Sequence, residues 1–219
     1  MTRQEEENRS PATEDATETN WLATHESLSQ IVLAAPDSKE VVIGNLTYHP
    51  KFNKRAKIHF LSVRVWNRAT HDTDLARIKI IKHKCDPATI ACIVREMTDT
   101  LIEFLGKPET DWYVTAAPAG VSAYEGTAHF ATLLARRVAH NVGLEYIQIF
   151  APRPRSSSST PKNFDKRGEL ITLGDLPTRS CIFIDDISTS GTTVLECMTR
   201  LQSAATQVEA VVWLYGQVK

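Results

Sequence analysis

Residues 181–194, Cys-Ile-Phe-Ile-Asp-Asp-Ile-Ser-Thr-Ser-Gly-Thr-Thr-Val, constrain the fold of this chain more than any other stretch. They open as a strand, pass through two adjacent carboxylates and end in a loop of small hydroxyl residues that starts a helix. Residues 182–184 have the continuous apolar run of a parallel strand covered on both faces, which implies an α/β layer architecture. Asp185 and Asp186 are expected where the strand leaves the sheet, at the carboxyl edge where open α/β sheets bind ligands. Two neighbouring carboxylates can accept hydrogen bonds from the vicinal hydroxyls of a sugar. Ser188, Thr189, Ser190, Gly191, Thr192 and Thr193 then offer successive backbone N–H groups and hydroxyl donors, with a glycine that permits close approach. At a helix N-terminus, that combination suits a phosphate. The plainer alternative is an ordinary strand–helix unit whose acidic turn caps a helix.

The same residues resemble the phosphoribosyl-pyrophosphate (PRPP) signature of type I phosphoribosyltransferases: hydrophobics, Asp-Asp, a hydrophobic, then Ser-Thr-Ser-Gly-Thr-Thr. The resemblance implies a Rossmann-like fold with a parallel central sheet and an N-terminal β-rich, hood-like section. It also implies that Asp185, Asp186, Ser188, Thr189, Ser190, Gly191, Thr192 and Thr193 bind PRPP. The Mg²⁺ cofactor would be held through ligand oxygens, with no direct protein ligand expected. The reaction would pass a 5-phosphoribosyl group to a nitrogenous acceptor, a nucleobase or related heterocycle, and release pyrophosphate.

Ahead of this block the chain alternates strand and helix, which calls for a parallel, right-handed sheet. Residues 112–117 form an expected strand, 126–141 a helix closed by Gly143, 144–150 a strand, 192–203 a helix and 208–215 a strand. Asp86-Pro87 is a helix start, a capping acid followed by proline at the first helical position. Ile90, Ile93, Val94, Met97, Leu101 and Phe104 follow as its buried face, ending at Gly106. Upstream, residues 40–49, 57–66 and 74–83 read as strands of an antiparallel section. The expected organisation is an acidic tail over 1–28, the β-rich section over 29–85, and the transferase core over 86–219. Trp66, Trp112 and Trp213 are expected in the core.

Two further segments extend the resemblance. Ala116, Ala117, Pro118 and Ala119 end a strand one strand–helix–strand unit before the signature, where phosphoribosyltransferases receive pyrophosphate. Small residues there let main-chain amides face the ligand, although the same run alone is only a turn. Residues 151–168 form a loop long enough to need a functional or a disordered explanation. Arg153, Arg155, Lys162, Lys166 and Arg167 stand in it against one acid, Asp165. The resemblance makes it a lid that closes over the ligand and brings cations to the leaving pyrophosphate, with Lys162 and Arg167 as catalytic candidates. The bland reading is a solvated Ser-rich linker.

Lys82-His83 resembles the lysine–aromatic pair of the competence-protein ComF-like branch, which makes Lys82 a candidate phosphate contact; the alternative is an edge strand with exposed basic residues. The chain departs from that branch twice. Its Arg-Gly-Phe-Asn run is replaced by Gly126-Thr127-Ala128-His129, and its N-terminal zinc-binding cysteines are missing. His71-Asp72-x-Asp74 has metal-ligating residue types but reads as a turn.

Bulk properties narrow the class. The net charge is −1 over 219 residues, yet the first twenty hold two arginines against six acids, leaving 23 basic and 20 acidic residues elsewhere. A mildly positive body suits a small anionic substrate and falls short of a nucleic-acid-binding balance. No apolar run reaches membrane-spanning length and the first ten residues lack signal-peptide character, so a cytoplasmic protein is expected. Cys85, Cys92, Cys181 and Cys197 include no Cys-x-x-Cys pair and read as reduced structural thiols. A homodimer is compatible with this reading. Two other functions share the same pocket: a PRPP- or nucleotide-binding regulator without catalysis, and a defence-system effector with an unusual acceptor.

Overall fold

The structure, a computed structural model, describes residues 46–65, 71–120, 129–153 and 168–216. In chain order the elements are β1 (Thr47–Arg55), β2 (Ile58–Val65), α1 (His71–Lys84), α2 (Pro87–Leu105), β3 (Tyr113–Ala116), α3 (Phe130–Val142), β4 (Glu145–Tyr146), β5 (Cys181–Ser188), α4 (Thr192–Leu201) and β6 (Val208–Tyr215). The strands form one six-stranded sheet in the order β1-β2-β6-β5-β3-β4. Only β1 and β2 pair antiparallel; β2 with β6, β6 with β5, β5 with β3 and β3 with β4 are parallel. The α/β class and the mainly parallel sheet are as expected, and the β1–β2 hairpin is hydrogen-bonded directly onto that sheet.

Alternation along each central strand feeds two apolar layers. Ile182 and Ile184 of β5 and Val211 and Trp213 of β6 pack with Ile78 of α1, Ile93 and Met97 of α2, and Leu134 and Val138 of α3. Cys181, Phe183, Ala210 and Val212 pack on the other face with Val194, Cys197, Met198 and Leu201 of α4 and with Ile149 and Phe150. Trp213 is fully buried, as expected, and Trp112 is half-buried. Burial of this kind stabilises by roughly 1.5–3 kcal/mol per large apolar side chain, which fixes β5 in the middle of the molecule.

Helix α2 starts as its sequence predicts. The Asp86 carboxylate accepts from Thr89 N at 2.9 Å and Pro87 occupies the first turn. Helix α3 ends on Gly143 in the left-handed conformation at φ 75°.

Four expectations are corrected. Residues 74–83 are not a strand but most of helix α1. Leu75, Ile78 and Ile81 recur every three residues and turn inward, while Ile80 is exposed. The β-branched isoleucines favoured a strand locally, and packing of the 3-spaced face prevailed. Residues 144–150 give only the two-residue β4 and an isolated bridge at Phe150, because β4 is an edge strand paired on one side. Phe104 is exposed and stacks edge-on against Phe52 of β1 at 5.8 Å between centroids. The strand expected over 40–49 is seen as Thr47–Arg55, running six residues past its expected end, and residues 40–45 lie outside the described residues.

Candidate functional site

Strand β5 runs through both carboxylates and ends at Ser188, so Asp185 and Asp186 lie inside the strand rather than beyond it. Asp185 pairs in register with Val212 of β6, and pairing continues to Ser188 opposite Tyr215. Only 5% of Asp185 and 6% of Asp186 is exposed. The acids were expected where the strand leaves the sheet; they lie near its carboxyl end, and pairing runs two residues further because β6 is as long as β5 and holds it in register to the end.

The two side chains serve different surroundings. Asp186 meets the ammonium of Lys82, which comes from the last turn of α1. Phe130, the first residue of α3, lies under that ammonium with its ring centroid 5.9 Å away. Burial works against the Lys82 charge, but Asp186, through charge and hydrogen bond, and Asp185 outweigh it and hold the ammonium above its ordinary pKa. His129 faces the same pair; burial depresses its pKa, Asp186 opposes this, and Lys82 adds to it. Its Nδ1 lies 3.3 Å from Thr132 Oγ1.

Asp185 acts on the α4 side, where its charge helps burial push the Cys197 thiol well up. Burial first, then the Asp186 charge, raises the Asp185 carboxyl well above the carboxylate range, although Asp186 N donates to Asp185 Oδ1 at 2.9 Å. Asp186 therefore has a paired counter-charge, and Asp185 is the acid whose burial and neighbour disfavour its ionised form.

The hydroxyl loop follows at once. Ser188 and Gly191 are buried, and Gly191 takes a left-handed conformation at φ 72°, ψ 6° before α4. A Cβ at Gly191 would lie 3.1 Å from Cγ of Arg55, so a side chain there is disfavoured by the backbone conformation and crowded by the arginine stem. Ser190 Oγ lies 2.9 Å from Thr192 Oγ1 across the turn. Thr189 and Thr193 are half-buried on either side of the turn. The resulting arrangement is a glycine turn leading into a helix N-terminus, whose first amides carry partial positive charge.

Strand β3 brings the second expected segment beside the first. Ala116 is in register with Ile184, and Ala117 N donates to Ile184 O at 2.9 Å. Pro118 and Ala119 continue from there, half-buried. Ala119 O accepts from Arg153 N at 2.8 Å, and Gly120 bridges Arg153 in parallel fashion.

Arg153 is the residue whose importance the sequence understated. It is one of five cations in the 151–168 loop, but it is 95% buried and its guanidinium pairs with Glu196 of α4 at 2.6 Å. Its Nε is buried with no hydrogen-bond partner among the described residues. No local pattern marks Glu196; only the tertiary pairing shows it. His129, which occupies part of an altered motif, was the other signal that could have been followed. On either side of residues 154–167, Ala151 N donates to Ile171 O at 2.9 Å and Leu173 N to Ile149 O at 2.7 Å. Arg155, Lys162, Asp165, Lys166 and Arg167 lie outside the described residues, as do Gly126, Thr127 and Ala128.

Among the described residues no group of three or more His, Cys, Asp or Glu side chains is placed to hold a metal ion. No helix among them is long and apolar enough to cross a membrane. A cavity of about 540 Å³ lined in part by Lys54, Lys57 and His59 contains none of the residues expected in the site.

No family model matches the chain, and no curated protein matches it. Solved structures do. A hypoxanthine phosphoribosyltransferase from Staphylococcus aureus is 18% identical over 57% of this chain and 62% of its own, with a TM-score of 0.37. Adenine phosphoribosyltransferase from Saccharomyces cerevisiae is 16% identical over 87% of this chain and 89% of its own, with a TM-score of 0.41. Orotate phosphoribosyltransferase from Aeropyrum pernix is 15% identical over 79% and 77%, with a TM-score of 0.36. The chain thus spans under two thirds of the length of the S. aureus enzyme.

Proposed function

We propose that this chain is a PRPP-dependent phosphoribosyltransferase acting on a heterocyclic nitrogen. The observation that carries the reading is the order β5, Asp185-Asp186, hydroxyl loop, α4, with the Ala116–Ala119 turn held beside β5 through β3. The hydroxyl loop, Ser188 to Thr193, would take the 5-phosphate on amides and hydroxyls at the start of α4. Asp185 and Asp186 would accept the ribose hydroxyls, and the amides of the Ala116–Ala119 turn would face the pyrophosphate. Lys162 and Arg167, in the loop after Arg153, would supply cations to the leaving group. The ComF-like placement belongs with this proposal, since Lys82 precedes α2, the helix that leads into β3.

In the reaction the bond from C1 to the pyrophosphate oxygen breaks, its electron pair leaving with pyrophosphate, and a bond from C1 to the acceptor nitrogen forms. The transition state has oxocarbenium character, as in glycoside cleavage. The protein therefore contributes position and charge complementarity rather than covalent chemistry. Mg²⁺ would be carried mainly on the ligand's own oxygens, with Asp185 and Asp186 as the carboxyl groups at the site, and would supply charge neutralisation for the departing pyrophosphate.

Thermal denaturation with and without PRPP and Mg²⁺ tests the pocket. A rise in melting temperature that disappears in Asp185→Asn/Asp186→Asn is expected; no rise in the wild type overturns the proposal. Pyrophosphate release with a panel of heterocycles then tests turnover. Tight PRPP binding with no turnover on any acceptor replaces the transferase by the non-catalytic regulator.

A further inference from the structure

We propose that Lys82 is a displaceable counter-ion of Asp186, a positioning residue that holds the carboxylate in the ligand-free protein and must leave it before a sugar can seat. The inference rests on the sugar-phosphate reading of the site and changes the role expected of Lys82 within it.

Three observations carry it. First, the ammonium lies on Asp186 Oδ2, one of the oxygens that a vicinal diol would need, and the Asp186 side chain is only 9% exposed. Among the described residues Oδ2 has no other hydrogen-bond partner. Second, Lys82 is partly open to solvent. Its side chain is 35% exposed, and it belongs to the last turn of α1, so it can withdraw outward without unpacking Ile78. Third, among the described residues His129 and Arg153 are unsuited to take over its charge. His129 is disfavoured as a cation by burial, and Arg153 is committed to Glu196. A buried carboxylate that loses its cation must be satisfied by new donors, and two sugar hydroxyls are donors of the right number and reach. Asp186 thus exchanges one ammonium for hydroxyls, and the affinity for the sugar is reduced by the pair that must first be broken.

Ribose 5-phosphate is the probe, because it carries the diol and the phosphate but no pyrophosphate for Lys82 to contact. Inorganic phosphate, which needs only the hydroxyl loop, is the control. By calorimetry, Lys82→Met is expected to bind ribose 5-phosphate roughly ten-fold tighter than the wild type, with phosphate binding unchanged; tenfold corresponds to one charge-assisted contact at the low end. A second readout uses the unmodified protein: acetylation at limiting reagent, followed by mass spectrometry of the Lys82 peptide against the exposed Lys79 and Lys84. Ribose 5-phosphate is expected to speed Lys82 acetylation several-fold, and phosphate to leave it unchanged. Protection of Lys82 by ribose 5-phosphate, or equal binding by both proteins with no change in reactivity, overturns the inference and leaves the sugar-phosphate site standing. Failure of both proteins to bind ribose 5-phosphate overturns both.

Discussion

Arg153 and Glu196 stand 43 positions apart and close an ion pair of 2.6 Å that ties the base of the 151–168 loop to helix α4. The arginine end is 6% exposed and the glutamate end 38%, so the pair is anchored inside and screened outside. Because Arg153 N also donates to Ala119 O, one residue joins the Ala116–Ala119 turn to the helix that follows the hydroxyl loop. The two segments proposed to hold opposite ends of the ligand are therefore set at a fixed separation.

Removing the charge from the solvent-facing partner tests that link. Glu196→Gln should destabilise the protein by about 2 kcal/mol, because a buried guanidinium is left without its counter-charge. Urea denaturation measures the loss. The reciprocal exchange Arg153→Glu with Glu196→Arg should recover only part of it, since the longer side chain then sits on the open end.

Gly191→Ala should destabilise by about 1–2 kcal/mol, the cost of a left-handed conformation with a Cβ. Adding Arg55→Ala removes the contact at 3.1 Å but not the backbone strain, so the double variant should recover only a fraction. A melting temperature lowered by several degrees in both variants is the expected outcome.

Asp185→Asn should stabilise the protein at neutral pH. A carboxyl whose folded-state pKa is raised favours the folded state below its unfolded value near 3.8, and that contribution is lost as pH rises through the folded-state value. An amide cannot ionise, so the variant should match the wild type near pH 4 and exceed it near pH 8 in equilibrium unfolding. Equal stability at both pH values would contradict the burial of this acid.

His129 gives the opposite slope. Its folded-state pKa lies below the ordinary 6.5, so its contribution is present above pH 6.5 and fades as pH falls through the depressed value. His129→Gln should flatten the stability profile between pH 7 and 5, by no more than about 1.4 kcal/mol per pH unit for one proton.

The thiols should be inert. Burial pushes Cys181 up to about 12, and Cys85, Cys92 and Cys197 are also raised. A disulfide reagent at pH 8 should therefore titrate no fast cysteine in the native protein, and four after unfolding in urea.

Where a pattern was local, the sequence was legible. Asp86-Pro87, Gly143 and the apolar runs of β5 and β6 located their elements because capping, positive φ and two-sided burial each leave a residue signature. Helix α1 was not legible, since its isoleucines favour a strand and only burial of Leu75, Ile78 and Ile81 in the shared apolar layer selects the helix. The position of Asp185 and Asp186 inside β5 depends on the length of β6, a property of a neighbouring strand. Lys82 was visible as a candidate, but its partner was not, because α1 and β5 meet only in three dimensions. Glu196 was invisible for the same reason.

The sheet order has a consequence for how the chain comes together in time. Strand β6 lies between β2 and β5, so the hairpin formed by residues 47–65 has no parallel neighbour until residues 208–215 have emerged from the ribosome. Until then Leu61 and Val63, fully buried in the finished protein, face solvent beside an unpaired strand edge. Synthesis proceeds at about 5–20 residues per second, which leaves that hairpin exposed for roughly 7–30 s before β6 can join the two halves of the sheet.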